Sequence, residues 1–154
     1  MSVLVPAPGL PPAIVSFLAA ARGHSGTRRL WCLRQLWADA LLDGRDPGSV
    51  RVAPYALIRP GQDPAARLAQ ARAVIVRAGW QAVTPAVDTT GPTDPATRPQ
   101  LERLFAAVAR GELDGLVAAS RTDISPYDAP YEAALRRLRA GGGFLALALD
   151  ETAP

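Results

Sequence analysis

Residues 98–119 read RPQLERLFAAVARGELDGLVAA, and their pattern decides the architecture. Residues 99–110 read as a helix. Pro99 suits the first turn of such a helix, where its missing N–H has no intrahelical partner to lose. Gly111 suits the helix end. The apolar run 116–119 then reads as a short buried strand. A helix over 99–110, a glycine stop and a strand form the second half of a βαβ unit.

The same alternation extends in both directions. Upstream, residues 52–58 read as a strand. Asp63 can cap a helix that opens with Pro64 and runs to about residue 78, where Gly79 ends it. Residues 82–87 read as a second strand, followed by a loop over 88–97 rich in Thr, Pro, Asp and Gly. Downstream, a helix over about 129–140 is stopped by Gly141-Gly142-Gly143, and residues 144–149 read as the fourth strand. Short apolar strands separated by helices of about a dozen residues mean an α/β fold: a four-stranded, mainly parallel sheet covered on both faces. In such sheets ligands bind at the carboxyl ends of the strands. Three segments lie there: 59–62, 88–97 and 120–126.

The first third of the chain differs. Residues 1–10 show no period and read as a flexible start. Pro11 and Pro12 suit the first turn of a helix to about residue 21, residues 23–26 read as a turn, and Thr27 can cap a second helix over about 28–42. Leu30, Leu33, Trp37 and Leu41 share one face of it, with Arg28, Arg29, Arg34 and Gln35 largely off that face. Residues 44–48 read as a linker. The expected organisation is therefore a flexible segment 1–10, a helical hairpin with linker 11–48, and an α/β domain 49–154. The hairpin's second helix, rich in Trp31, Leu33, Leu36 and Trp37, is built for burial against the α/β domain, a second copy or a protein partner. A DNA-reading helix-turn-helix fits that composition less well.

The chain has 154 residues, and all 17 of its basic residues are arginine. The net charge of +3 sits entirely in the first 51 residues, which hold six arginines against three acids; residues 52–154 balance eleven against eleven. Nucleic-acid affinity and plain solubility both accommodate so modest an excess. One cysteine, Cys32, and one histidine, His24, are too few for a disulfide framework or a zinc module, so neither a metal nor a cofactor is expected. Residues 1–21 are uncharged, but prolines at 6, 8, 11 and 12 leave only 13–21 as an unbroken apolar run. That is far short of the roughly 20 residues of a membrane span, and no basic residue precedes it as in a secretory leader. A cytoplasmic location is expected. The segment after the first strand, Arg59-Pro60-Gly61-Gln62-Asp63, contains neither a dinucleotide fingerprint nor a P-loop, and no G-x-S-x-G elbow occurs.

The order of short motifs over residues 52–151 resembles the catalytic domain of the serine recombinases, the resolvase/invertase family. Arg98-Pro99-Gln100-Leu101-Glu102-Arg103-Leu104 resembles that family's Arg-Pro-x-Leu-x-x-Leu helix start. AVARGELDGLV at 107–117 resembles its helix, glycine turn and strand. Asp88-Thr89-Thr90-Gly91 resembles its Asp-x-x-Ser-Gly loop, and Leu135 to Gly141 its Leu-x-x-Leu-x-x-x-Gly helix end. The resemblance implies a resolvase-like, flavodoxin-like strand order. It also implies a chemistry in which a serine at the end of the first strand attacks a DNA phosphate while arginines neutralise the developing charge. The family writes that strand Tyr-x-Arg-x-Ser-Thr. Here Tyr55-Ala56-Leu57-Ile58-Arg59-Pro60 puts Leu57 at the activating arginine and Arg59 at the nucleophile. No serine lies between Ser49 and Ser120. The family's second loop, Asp-Arg-Leu-x-Arg, is matched by Thr122-Asp123-Ile124-Ser125-Pro126 or by the same stretch shifted by one to start at Asp123, with both arginines absent in either register. Of the implied catalytic arginines Arg98 is retained, and Asp88 and Asp114 match acidic positions. Ser120 and Ser125 have no histidine or lysine base nearby in sequence.

These residues set the expectation of a catalytically inactive, recombinase-like protein that acts by binding DNA or protein. Three alternatives stay open: an active strand-exchange enzyme, an unrelated enzyme that reuses the strand-end loops around Arg59, Asp88, Arg98 and Asp123, and an interaction module without DNA. The candidate phosphate-binding residues are Arg59, Arg98, Arg28 and Arg29, with Asp88 as supporting acid. Arg59 is equally a solvated side chain or a partner for Asp88. Any DNA binding is expected to be weak and salt-dependent. A homodimer or protein contact would use the Trp31/Trp37 helix, and no membrane contact is expected.

Overall fold

Each described strand pairs in parallel with its neighbour, so the connections between neighbouring strands cross over a face of the sheet. The structure, a computed structural model, describes residues 26–153. It comprises helix α1 (Gly26–Leu42), strand β1 (Arg51–Leu57), α2 (Ala65–Ala78), β2 (Gln81–Ala82), β3 (Ala86–Asp88), α3 (Pro99–Ala109), β4 (Gly115–Ala118), α4 (Asp128–Ala140) and β5 (Phe144–Leu147). Single 3-10 turns stand at Pro47–Ser49, Pro95–Thr97 and Arg121–Asp123.

The α/β expectation holds, with one revision. The strand expected over 82–87 is split into β2 and β3, both paired to β1. Pro85 lies in the gap and has no N–H to give to the ladder. Counting the two pieces as one interrupted strand, the order is 2-1-3-4, the flavodoxin-like arrangement.

Alternation along β1 divides the core. Ala53, Tyr55 and Leu57 face the side covered by α3 and α4, where they meet Leu101, Phe105, Tyr131 and Leu135. Val50 and Val52 face the other side, against Ala71 and Ile75 of α2. The close approach of β4 and β5 depends on Gly115, since a methyl group there would lie 2.6 Å from the Phe144 carbonyl oxygen. Gly79 ends α2 in the left-handed conformation, φ 76°, as its sequence position predicted.

Helix α1 is the architectural addition. It packs on β5 and α4. Leu30 and Leu33 join the core on the α3/α4 side, and Ala38 joins the core on the α2 side. The helix therefore lies along the outer edge of β5 and covers a strand edge that would otherwise be open to pairing. Its sequence reading needs two corrections. The helix begins at Gly26, so Thr27 lies within it and is not its cap. Arg34 does not sit off the buried face. It is 6% exposed, because Glu151, 117 residues later, reaches back to pair with it. The expected first helix of the hairpin, 11–21, and His24 lie outside the described residues.

That seam is ionic as well as apolar. Arg34 Nε and Nη2 donate to the two oxygens of Glu151 at 2.7 and 3.0 Å, and the Tyr131 hydroxyl donates to Glu151 Oε2 at 2.7 Å. Burial, reinforced by the Glu151 charge, pushes the Tyr131 phenol far above its ordinary range. Arg29 pairs with Glu132 of α4, which also accepts from Arg136 at 2.9 Å. Trp37 packs against the core with the Arg139 and Arg136 guanidinium groups 4.8 and 5.5 Å from its ring centre. The tryptophan-bearing helix thus packs on its own α/β domain.

Candidate functional site

Four side chains, Tyr55, Asp88, Arg98 and Asp123, are buried together at the carboxyl ends of β1, β3 and β4. Asp88 ends β3, paired with Leu57 of β1. Its carboxylate accepts from the Tyr55 hydroxyl at 2.9 Å and from the backbone N–H groups of Gln100 and Leu101, each at 2.9 Å. Those two amides belong to the first turn of α3, whose own N-cap residue, Arg98, supplies no side-chain bond. Asp88 therefore caps α3 from across the sheet, where a carboxylate satisfies orphan donors and favours the positive end of the helix. Burial pushes the Tyr55 phenol well above its ordinary range, against a lowering pull from the Arg98 guanidinium.

Arg98 is fully buried. Its Nη1 donates to the Asp123 carbonyl at 2.8 Å, Nη2 to the Thr93 carbonyl at 2.6 Å, and Nε makes a long contact of 3.4 Å with Thr93 Oγ1. The guanidinium ties the 88–97 loop to the 120–126 loop and presents no surface to solvent. Its donors are already engaged with the main chain.

Asp123 is the second hub and is likewise fully buried. Oδ1 accepts from the Leu57 N–H at 3.1 Å and Oδ2 from the Ser120 N–H at 3.2 Å. Ser120 and Asp123 form a reciprocal capping box around the 3-10 turn. Arg67, from the first turn of α2, donates Nη1 to both oxygens at 3.1 and 3.2 Å while its side chain stays 43% exposed. A helix that follows a strand starts above that strand's carboxyl end, which is how Arg67 reaches the loop after β4.

Arg59 stands two residues past β1 and is exposed. Its backbone N–H donates to Gln62 Oε1 at 2.9 Å, and its side chain lies along Gly91. It does not pair with Asp88, whose oxygens serve Tyr55 and α3. Arg59 and the outer part of Arg67 are thus arginine surface at the strand ends, while Arg98 is interior. Arg28 and Arg29 are not part of this cluster. They begin α1, with Arg28 exposed above the Trp31 ring at 5.9 Å and Arg29 paired to Glu132.

The serines are engaged locally. Ser125 is buried, and its Oγ accepts from the Tyr127 N–H at 3.1 Å. Ser120 Oγ shares a 2.7 Å hydrogen bond with Thr122 Oγ1. Between them Arg121 fastens the loop to α4: its Nε donates to the Ser125 carbonyl at 3.1 Å, Nη1 pairs with Asp128 at 3.0 Å, and its guanidinium lies 4.6 Å from the Tyr131 ring centre.

Sequence reasoning named Arg59, Arg98, Asp88 and Asp123 but missed Tyr55, Arg67 and Arg121 as parts of this cluster. Tyr55 was findable, since it points to the same face as Ala53 and Leu57 and a buried phenol needs a partner. Arg67 and Arg121 carried no signal, because each finds its partner through a loop conformation.

No family model matches the chain, and no curated protein does either. Solved structures do. The C-terminal catalytic domain of ISC1926 TnpA, an IS607-like serine recombinase, superposes with a TM-score of 0.58 at 14% identity, covering 67% of this chain and 73% of that one. The N-terminal catalytic domain of TP901-1 integrase superposes with a TM-score of 0.57 at 16% identity, covering 67% and 82%. On a sheet of order 2-1-3-4 with its polar cluster at the strand ends, this likeness means that the chain has the fold of a serine recombinase catalytic domain.

Proposed function

We propose that this chain is a catalytically inactive recombinase-like domain that acts by binding, with the phosphates of duplex DNA as its ligand. The observation that carries this reading is the residue at the strand end. Where the family resemblance calls for a nucleophilic hydroxyl, the chain presents the exposed guanidinium of Arg59. A guanidinium binds a phosphate through paired N–H donors and has no oxygen with which to attack it. The 120–125 loop gives its serines to local hydrogen bonds, and in the 88–97 loop beside Arg59 the hydroxyls of Thr90 and Thr93 bond each other. Arg67 is joined through Asp123 to the N–H of Leu57, two residues before Arg59, and adds a second half-exposed cation at this end of the sheet.

Incubation of the purified chain with duplex DNA, followed by denaturation and intact-mass analysis, tests the inactive half of this reading. The expected result is unmodified protein and uncut DNA. A covalent phosphoserine adduct, mapped to Ser120 or Ser125, would overturn it. The binding half predicts an affinity that falls as salt rises, because each neutralised phosphate releases counterions. Loss of that binding in the Arg28→Ala/Arg29→Ala double variant, with Arg59→Ala unaffected, would move the contact to the start of α1.

A further inference from the structure

Of the chain's 17 arginines, Arg22 alone lies outside the described residues, and most of the others are engaged within the molecule. Helix α4 is an example. Arg136 and Arg137 pair with Glu132 and Glu102, and Arg139 lies over the Trp37 ring. Three arginines differ. The side chains of Arg59, Arg72 and Arg77 have no hydrogen bond, ion pair or ring contact among the described residues, and all three are exposed. They are not scattered over the surface. Arg59 follows β1, and Arg72 and Arg77 stand on α2, the helix that comes next. No acidic residue lies within α2, and Asp63 just before it accepts from the Ala65 N–H. The partnerless positive charge of the described residues is therefore collected at the end of β1 and along α2, with the half-exposed Arg67 between.

The outer face of α2 is shaped as well as charged. Ala66, Ala69 and Ala73 are exposed along it, and at about 100° per residue Arg72 falls on one flank of this strip and Arg77 on the other. Methyl groups let another backbone come close to the helix, and the flanking guanidinium groups reach past them. Arg67, Arg72 and Arg77 follow at five-residue intervals, about 7.5 Å each along the axis, so the charge runs the length of the helix.

We propose that the outer face of α2 is a track for the phosphate backbone of duplex DNA, continuous with Arg59 at the strand end. This rests on the DNA reading above and extends it from the strand ends down the α2 side of the sheet. A duplex carries one negative charge per about 1.7 Å of its axis, drawn out evenly as the charge on the helix is. A folded protein is the poorer fit. The centre of a protein interface is anchored by large side chains in well-packed pockets, whereas this face offers alanine methyls, with the exposed Val76 near its far end.

The test titrates the full chain with a short DNA duplex at two salt concentrations. It compares the parent, Arg59→Ala, the α2 double variant Arg72→Gln/Arg77→Gln, and the control Arg103→Gln/Arg110→Gln. The control removes the same charge from exposed positions on the α3 side of the sheet. The α2 variant is expected to bind about tenfold or more weakly at low salt, with a salt slope shallower by about two. The control is expected to bind as the parent does, and all four proteins to unfold at the same denaturant concentration. In nitrogen-15 NMR of the parent, added duplex is expected to shift the amides of Ala66, Ala69 and Ala73. Equal losses in the α2 variant and the control would overturn the proposal, since net charge alone would then set the affinity. Weakened binding by Arg59→Ala with the α2 variant unchanged would overturn the track and leave the strand-end reading intact. No binding by the parent would remove both. Polyglutamate bound as tightly as the duplex, with the same amides shifting, would assign the face to an acidic protein segment instead.

Discussion

Two buried arginines define two regions of this molecule, and they are held differently. At the α1 seam Arg34 meets a carboxylate, Glu151, in a bidentate pair that also takes the Tyr131 hydroxyl. At the strand ends Arg98 meets carbonyl oxygens of two loops. The first arrangement neutralises a charge and bolts an added helix to the sheet edge. The second uses a charge to fix loop conformation while the neighbouring carboxylates serve other donors. The lesson is that an arginine matching a catalytic position in a motif says where a loop is anchored. Whether the guanidinium also meets a ligand depends on the direction of its donors, which sequence does not encode.

The largest expected effect breaks the seam. Glu151→Ala strands the Arg34 charge in a site where the pair is nearly solvent-free, and should cost about 3–5 kcal/mol in chemical denaturation. Glu151→Gln keeps the shape and one acceptor and should cost less. If both variants were as stable as the parent, the Arg34–Glu151 pair would contribute nothing and α1 would be held by its apolar contacts and the Arg29–Glu132 pair.

Arg98→Ala comes next. It leaves the Thr93 and Asp123 carbonyls without these donors and opens a cavity under the loops, so a loss of about 3 kcal/mol is expected. Arg98→Lys should rescue little of it, because one ammonium does not span two loops. The contrast with the seam sharpens in hydrogen exchange. Glu151→Ala should expose α1 first, and Arg98→Ala should expose 88–97 and 120–126 first.

Acid distinguishes the seam from the other side. The hydrogen bond from Arg29, with smaller help from Arg136, holds the Glu132 carboxyl below its usual range. A lowered folded-state pKa contributes stability that is present above the unfolded carboxyl value of about 4.3 and is lost as pH falls through the folded value. Glu102, hydrogen-bonded by Arg137, is lowered for the same reason. Amide protection factors in α1, taken relative to the intrinsic exchange rate at each pH, should therefore fall between about pH 5 and about pH 3, and Glu132→Gln should remove that part of the pH dependence. An α1 whose protection ignores pH over this window contradicts the assigned role of Glu132.

Much of this was legible in the sequence because it follows from short-range patterns. The alternation of strands and helices, the stop at Gly79 and the opening of α3 at Pro99 were each read from neighbours in the chain. Asp88 and Arg98 were read at the right edge of the sheet for the same reason. What was not legible depends on long-range pairing. Arg34 looked like a surface residue because its partner stands 117 positions away. The split of β2 from β3 was visible only as Pro85 within an otherwise apolar run. Asp88 was read as an ionic support near a phosphate. It is instead the cap of α3, a role set by the register that puts it opposite Leu57.

The smallest effect on stability carries the central claim. Arg59→Ala touches an exposed side chain and should change stability by no more than about 0.5 kcal/mol. The decisive measurement is therefore a duplex-DNA binding titration of the parent and of Arg59→Ala at two salt concentrations. The account predicts salt-dependent binding by the parent, and for Arg59→Ala a weaker affinity with a salt slope shallower by about one. Identical isotherms for the two proteins, or no binding by either, would contradict it.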